Sequence, residues 1–163
     1  MKEQTGKIRN LMAAVDFSLY SRQVLEYTGE ISKITNADIC IIHIINQKSI
    51  DQVEHAVNKA RPDSFILSKH LSEESGRREL KLKAMVKNVG GLDEKKVRIR
   101  IGHGVPYVEI LAAIDLENID FLVFGPKGRS NLEGFLFGSV AEKLFRHSPV
   151  PVMSLRAKTL TPA

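Results

Sequence analysis

Apolar positions along this chain fall into runs of two kinds that take turns. ADICIIHII (37–45) is nearly continuous, the pattern of a strand covered on both faces. IRNLMAAVD (8–16) and IDFLVFG (119–125) are apolar runs of similar type, the first ending in an acid, and PVPVMSLR (149–156) is a last short strand. KKVRIRI (95–101) alternates, which predicts a more exposed strand. Between these runs the spacing turns helical. Residues 19–35 carry Val24, Tyr27 or Thr28, Ile31 and Ile34 at helical intervals. From Val105 a helix is expected with Pro106 in its first turn and Val108, Leu111 and Ile114 on its buried face. Residues 139–147 read as a helix opening with Ser139-Val140-Ala141-Glu142, the spacing of a capping box. Segment 46–94 is too long for one ordinary crossover. It predicts a short helix near 50–60 and a longer one across 64–89, closed by Gly90-Gly91.

Strands alternating with helices imply parallel pairing and right-handed crossovers, hence a three-layer α/β sandwich. No domain boundary or internal repeat interrupts the order, so 1–163 is expected to be one domain, with 1–7 and 157–163 as flexible ends. A length of 163 residues and 43% hydrophobic content suit a sizeable core. The net charge of +5 is scattered among acids, as in SEESGRRELKLK, and there is no Trp. Nucleic acid is therefore not the expected partner. The single cysteine, Cys40, lies inside an apolar run and reads as a buried inert thiol. The N-terminus MKEQTGKIRN lacks the apolar stretch of a secretory signal, and no apolar run reaches bilayer-spanning length. A cytoplasmic location is the expectation, with no membrane contact.

The stretch GPKGRSNLEGFLFGS (125–139) follows an expected strand and leads into an expected helix. In an open parallel sheet, ligands bind beyond the carboxyl ends of the strands. A helix N-terminus there offers unpaired N–H groups and a partial positive charge suited to phosphate. Glycine lets an anion approach the main chain; Lys127 and Arg129 could add charge, and Ser139 a hydroxyl. The plainer reading is a surface loop: Gly125 ends a strand, Gly138 turns the chain and Ser139 caps the helix. The spacing fits neither a P-loop nor the dinucleotide fingerprint. By itself it leaves both readings open.

The pattern G-x2-G-x9-G-S, filled by Gly125, Gly128, Gly138 and Ser139, resembles the ATP-binding signature of the universal stress protein family. AAVDFS, IIHII, GVP, GRS and FGSVAEKLFRHSPVPV resemble the same family in the same order, across nearly the whole chain and least between 46 and 94. The resemblance implies a Rossmann-like α/β/α sandwich with a five-stranded parallel sheet of order 3-2-1-4-5. It implies binding of ATP or another adenine nucleotide, with Mg2+ or Mn2+ carried on the phosphates, in a stress-response switch rather than a dedicated enzyme. Carried over by position, Asp16 sits by adenine and ribose, where a carboxylate accepts from N–H or O–H donors. Ala14, Val15 and Ile44 enclose the base, and Gly125, Gly128, Gly138, Ser139 and Val140 hold ribose and phosphates. Asp16 also has a structural reading, as a cap of the following helix shared with Ser18. The resemblance further implies a homodimer through the last strand, Pro149 to Arg156. Two departures stand out: Pro126 removes a backbone donor at the loop entrance, and Glu133 puts an acid in its interior.

Other chemistry has little support. His43, His55, His70, His103 and His147 show no zinc-ligand spacing. There is no G-x-S-x-G elbow and no Cys beside a plausible base. Four functions stay in competition: a nucleotide-dependent switch acting on a protein partner, a dimeric interaction module of the same fold that binds no ATP, a slow Mg2+-dependent ATPase, and, least expected, nucleic-acid binding through the basic surplus, which would show steep salt dependence.

Overall fold

The computed structural model describes residues 6–62, 65–126 and 138–156. Of the expected tails, residues 1–5 and 157–163 lie outside these, as do Lys127, Gly128, Arg129 and Glu133.

In chain order the elements are β1 (Asn10–Ala14), α1 (Ser21–Thr35), β2 (Asp38–Asn46), α2 (Gln47–Ala60) and α3 (Leu67–Asn88), then β3 (Val97–Gly104), α4 (Pro106–Leu116), β4 (Phe121–Phe124), α5 (Ser139–His147) and β5 (Val152–Ser154). The strands form one sheet of order β3-β2-β1-β4-β5, and every pairing is parallel. Segment 46–94 resolves into α2, α3 and a short 3-10 turn at Glu94–Lys96.

Because strand side chains alternate faces, each central strand feeds two separate cores. Leu11, Ala13, Ile39, Ile41 and Val123 pack with Val24 and Leu25 of α1 and Leu82 and Val86 of α3. Met12, Cys40, Ile42, Leu122 and Phe124 pack on the other side with Ile110, Ala113 and Ile114 of α4 and Ala141 and Leu144 of α5. Cys40 is free and buried, and burial pushes its thiol pKa up, which suits an inert role.

Three sequence expectations change. Val108 and Ile34 are exposed, at 44% and 85%. The buried stripe of α4 runs instead through Ile110, Ala113 and Ile114, and that of α1 through Val24, Leu25, Thr28, Gly29 and Ser32. Small and hydroxyl residues are buried there because their polar atoms bond inward. Thr28 Oγ1 donates to Val24 O at 2.6 Å and Ser32 Oγ to Ala37 O at 2.7 Å. The capping box also fails: Gly138 is the N-cap of α5, with no side-chain capping bond, and Ser139 is already helical. Glu142 pairs with Arg146 at 3.0 Å instead.

The opposite rim of the sheet, at the start of the strands, is tied by polar contacts. Asp120 Oδ2 accepts from Arg9 N and Asn10 N, both at 2.9 Å. Glu117 accepts from Arg98 at 3.1 Å and Arg100 at 2.7 Å, fastening the edge strand β3 to the end of α4.

Candidate functional site

Where β1 and β4 lie side by side, their crossovers depart to opposite faces, to α1 on one and α5 on the other. A crevice is expected beyond the carboxyl ends of strands at such a point. A cleft of about 440 Å3 opens there, within the usual range for small-molecule sites. Its apolar floor comes from Ala14, Ile44, Phe124 and Ile110, and its polar wall from Asp16, Ser18, Ser21, Asn46, Ser49 and Ser139.

Each residue arrives by a local structural reason. Ala14 and Phe124 are register partners at the ends of β1 and β4, and Ile44 lies on the same face two residues beyond Ile42, the β2 partner of Ala14. Asp16 lies in the β1–α1 turn. Its Oδ1 accepts from Ser18 N at 3.0 Å and from Ser21 Oγ at 3.3 Å, while its own N–H donates to Ser21 Oγ. Ser18 Oγ accepts from Tyr20 N at 3.3 Å. Tyr20, the N-cap position, makes no side-chain capping bond, so Asp16 and Ser18 organise the turn ahead of the helix. Phe17 between them is left-handed at φ 62°.

The glycine segment is described at its two ends. Gly125 and Gly138 both line the cleft, with Ser139 and Val140 of α5. Gly138 N donates to Pro126 O at 2.8 Å, and Gly138 O accepts from Glu142 N at 3.0 Å. Pro126, which cannot donate, thus supplies the acceptor that fixes the start of α5. Gly138 has φ −76° and ψ 162°, extended backbone open to any residue, so left-handed geometry is not what calls for glycine here.

Of the eleven site residues expected from sequence, Ala14, Val15, Asp16, Ile44, Gly125, Gly138, Ser139 and Val140 line this single cleft. Lys127, Gly128 and Arg129 lie outside the described residues. Tyr20, Asn46, Ser49 and Pro106 also line it and were not singled out. Their signal was position alone: each lies at or shortly after the carboxyl end of a strand. Among the described residues, no group of three or more His, Cys, Asp or Glu could hold a metal ion.

The model of the universal stress protein family matches residues 7–156. The chain belongs to this family. Universal stress protein MJ0577 of Methanocaldococcus jannaschii is 24% identical over 159 residues, covering 92% of this chain and 96% of that protein. A solved structure of MJ0577 superposes with a TM-score of 0.70 at 26% identity, over 93% of this chain and 97% of that one. Two more distant structures share the fold. One is a universal stress protein in complex with cAMP, with TM-score 0.59, 20% identity and coverage of 92% and 98%. The other is a universal stress protein of Archaeoglobus fulgidus in complex with dAMP, with TM-score 0.53, 14% identity and coverage of 91% and 98%.

Proposed function

We propose that this universal stress protein binds an adenine nucleotide, ATP in the first instance, in the β1/β4 cleft, and that occupancy is read by a protein partner. The observation that carries the reading is convergence. Residues 14–16, 44, 125 and 138–140, chosen for a nucleotide from separate parts of the sequence, line one cleft of suitable volume. Ala14, Ile44 and Phe124 suit the face of a base. Asp16 suits ribose hydroxyls or an exocyclic amine as an acceptor. The first turn of α5, with the Ser139 hydroxyl, suits phosphate, because a helix leaves its first N–H groups without intrahelical acceptors. The related proteins solved with cAMP and dAMP support an adenine nucleotide as the ligand class.

Binding rather than turnover is the role. Among the described residues that line the cleft, Asp16 is the one acid, and it is engaged in its own turn. A divalent cation, Mg2+ or Mn2+, would arrive on the phosphates. Hydrolysis would also need a group to position water and stabilise transferring charge. The outer edge of β5, which among the described residues pairs with β4 alone, is the surface for a homodimer within the same reading.

The competing reading, an interaction module without nucleotide, draws on Pro126: the Gly138 N–H that a phosphate could use is already bonded to its carbonyl. Calorimetric titration of nucleotide-stripped protein with ATP·Mg2+, with AMP and cAMP as competitors, separates the two. Saturable binding displaced by an adenine competitor is expected. Absence of heat with all three nucleotides overturns the nucleotide reading.

A further inference from the structure

The face of the sheet turned away from α4 and α5 holds a polar cluster that the cleft does not use. His43 is 1% exposed, on β2 one residue before Ile44 of the cleft floor, and strand alternation sends its ring the other way. Its Nδ1 lies 2.9 Å from Val15 O. A carbonyl only accepts, so Nδ1 carries the proton and donates. Nε2 faces Arg78 Nη1 of α3 at 3.5 Å, and a guanidinium only donates. These contacts suit an imidazole protonated on Nδ1, linking Val15 just past β1 to the middle of α3.

Phe17 completes the cluster. Its ring centroid is 4.5 Å from that of His43. Lys81 Nζ of α3 stands 4.3 Å from the Phe17 centroid, and the Arg78 guanidinium carbon 5.6 Å. Arg78 is oriented in turn by Glu74, Nε to Oε2 at 3.3 Å. A left-handed backbone is a genuine outlier for a bulky residue such as Phe, and it persists only where the surrounding structure over-determines it. Here it does: two cations and an imidazole hold the side chain while the backbone turns the neighbouring Asp16 into the cleft wall.

We propose that Phe17 and His43 are positioning residues for the nucleotide cleft, held by Arg78 and Lys81, so that α3 and the Asp16 turn form one mechanical unit. The affinity part of this inference rests on the nucleotide reading above; the part that concerns the turn does not. Neither Arg78 nor Lys81 lines the cleft, so their replacement alters the turn without touching a ligand.

The test is the double variant Arg78→Met, Lys81→Met, which keeps the apolar stems and removes both cations. Amide hydrogen exchange is followed by NMR at Ser18 and Ser21, whose N–H groups bond to Asp16 Oδ1 and Ser18 O within the turn, and at Met12 and Ile41 in the cores. Loss of two cation–π contacts predicts turn amides exchanging about 5- to 25-fold faster, with core amides unchanged. ATP affinity is expected to fall by up to the same factor. Arg78→Lys with Lys81 intact keeps two cations near the ring and should restore most of both. Turn amides that exchange as in wild type overturn the proposal. So does acceleration spread equally to the core amides, because that marks a general loss of stability. If the turn loosens and ATP binds with undiminished affinity, the positioning role fails. If wild-type protein binds no nucleotide, the functional reading falls, while the exchange data still decide whether α3 holds the turn.

Discussion

Replacing Gly138 with valine tests the cleft most directly, because the structure predicts different consequences for fold and for ligand. At φ −76° and ψ 162° the backbone accepts a β-branched residue without strain. The two main-chain bonds at this position, to Pro126 O and from Glu142 N, survive the change. The stability cost is the exchange of a tolerated N-cap residue for a poor one, about 1 kcal/mol. It is partly offset because the unfolded chain loses glycine's freedom, by roughly 0.4–1 kcal/mol. For a chain of this length a kcal/mol shifts Tm by about 2–4 °C, so the expected drop is roughly 0–3 °C. The ligand fares worse. An isopropyl group on the cleft wall beside Ser139 and Val140 imposes overpacking of about 1–3 kcal/mol on whatever binds there. That is a roughly five- to 140-fold weakening. Calorimetry with ATP·Mg2+ and a thermal melt on the same preparation read both quantities. A variant that melts normally and binds ATP like wild type would refute the placement of nucleotide against α5. A Tm loss beyond about 10 °C would refute the claim that the backbone at 138 tolerates a side chain.

At the other rim, Asp120→Ala removes an acceptor shared by Arg9 N and Asn10 N. Two partly exposed, charge-assisted bonds are worth about 2–3 kcal/mol together, so scanning calorimetry should show Tm lower by roughly 4–12 °C, with Asp120→Asn between variant and wild type. A loss under about 1 kcal/mol would mean that solvent replaces the carboxylate at little cost. The pairing of Glu74 predicts a pH dependence. Its carboxyl is held below its ordinary value of 4.5, chiefly by the hydrogen bond from Arg77 and also by Arg78. A depressed folded-state value means stability that is present above 4.5 and is lost as pH falls through the folded value. Denaturant unfolding of wild type and Glu74→Gln should therefore differ at neutral pH and converge in acid; a constant gap would show that the pairing is not what depresses the carboxyl.

The layer count was open to sequence reasoning because buried parallel strands advertise themselves, whereas the sheet order came from the family likeness. As a strand covered on both faces, ADICIIHII keeps Ile39, Ile41, Ile42 and Ile45 dry. Helix faces were less legible. Apolar spacing promoted Ile34 and Val108, which are exposed, and hid the contribution of Thr28 and Ser32, which satisfy their hydroxyls on their own helix or its C-terminal turn. The cleft residues came from a glycine pattern and a family likeness, and eight of them do line one crevice. What neither could supply was the side of each strand away from the ligand. His43 read as a buried strand histidine, and its link to Val15 and Arg78 joins residues far apart in the chain. Such contacts have no sequence period to betray them. The Ser139 cap failed for a related reason: a bond from Gly138 to Pro126 fixed the helix start one residue earlier than the side-chain pattern suggested.

The Gly138–Pro126 bond also bears on the thermodynamics of capture. Bringing together two points twelve positions apart in a chain carries a length-dependent entropy of about 2 kcal/mol. Here that constraint is met by folding, since one end is anchored to β4 and the other to α5. A ligand that contacts the intervening segment does not have to gather its ends. On the nucleotide reading proposed above, affinity would then be tuned by composition between positions 126 and 138 while the two anchored ends stay the same.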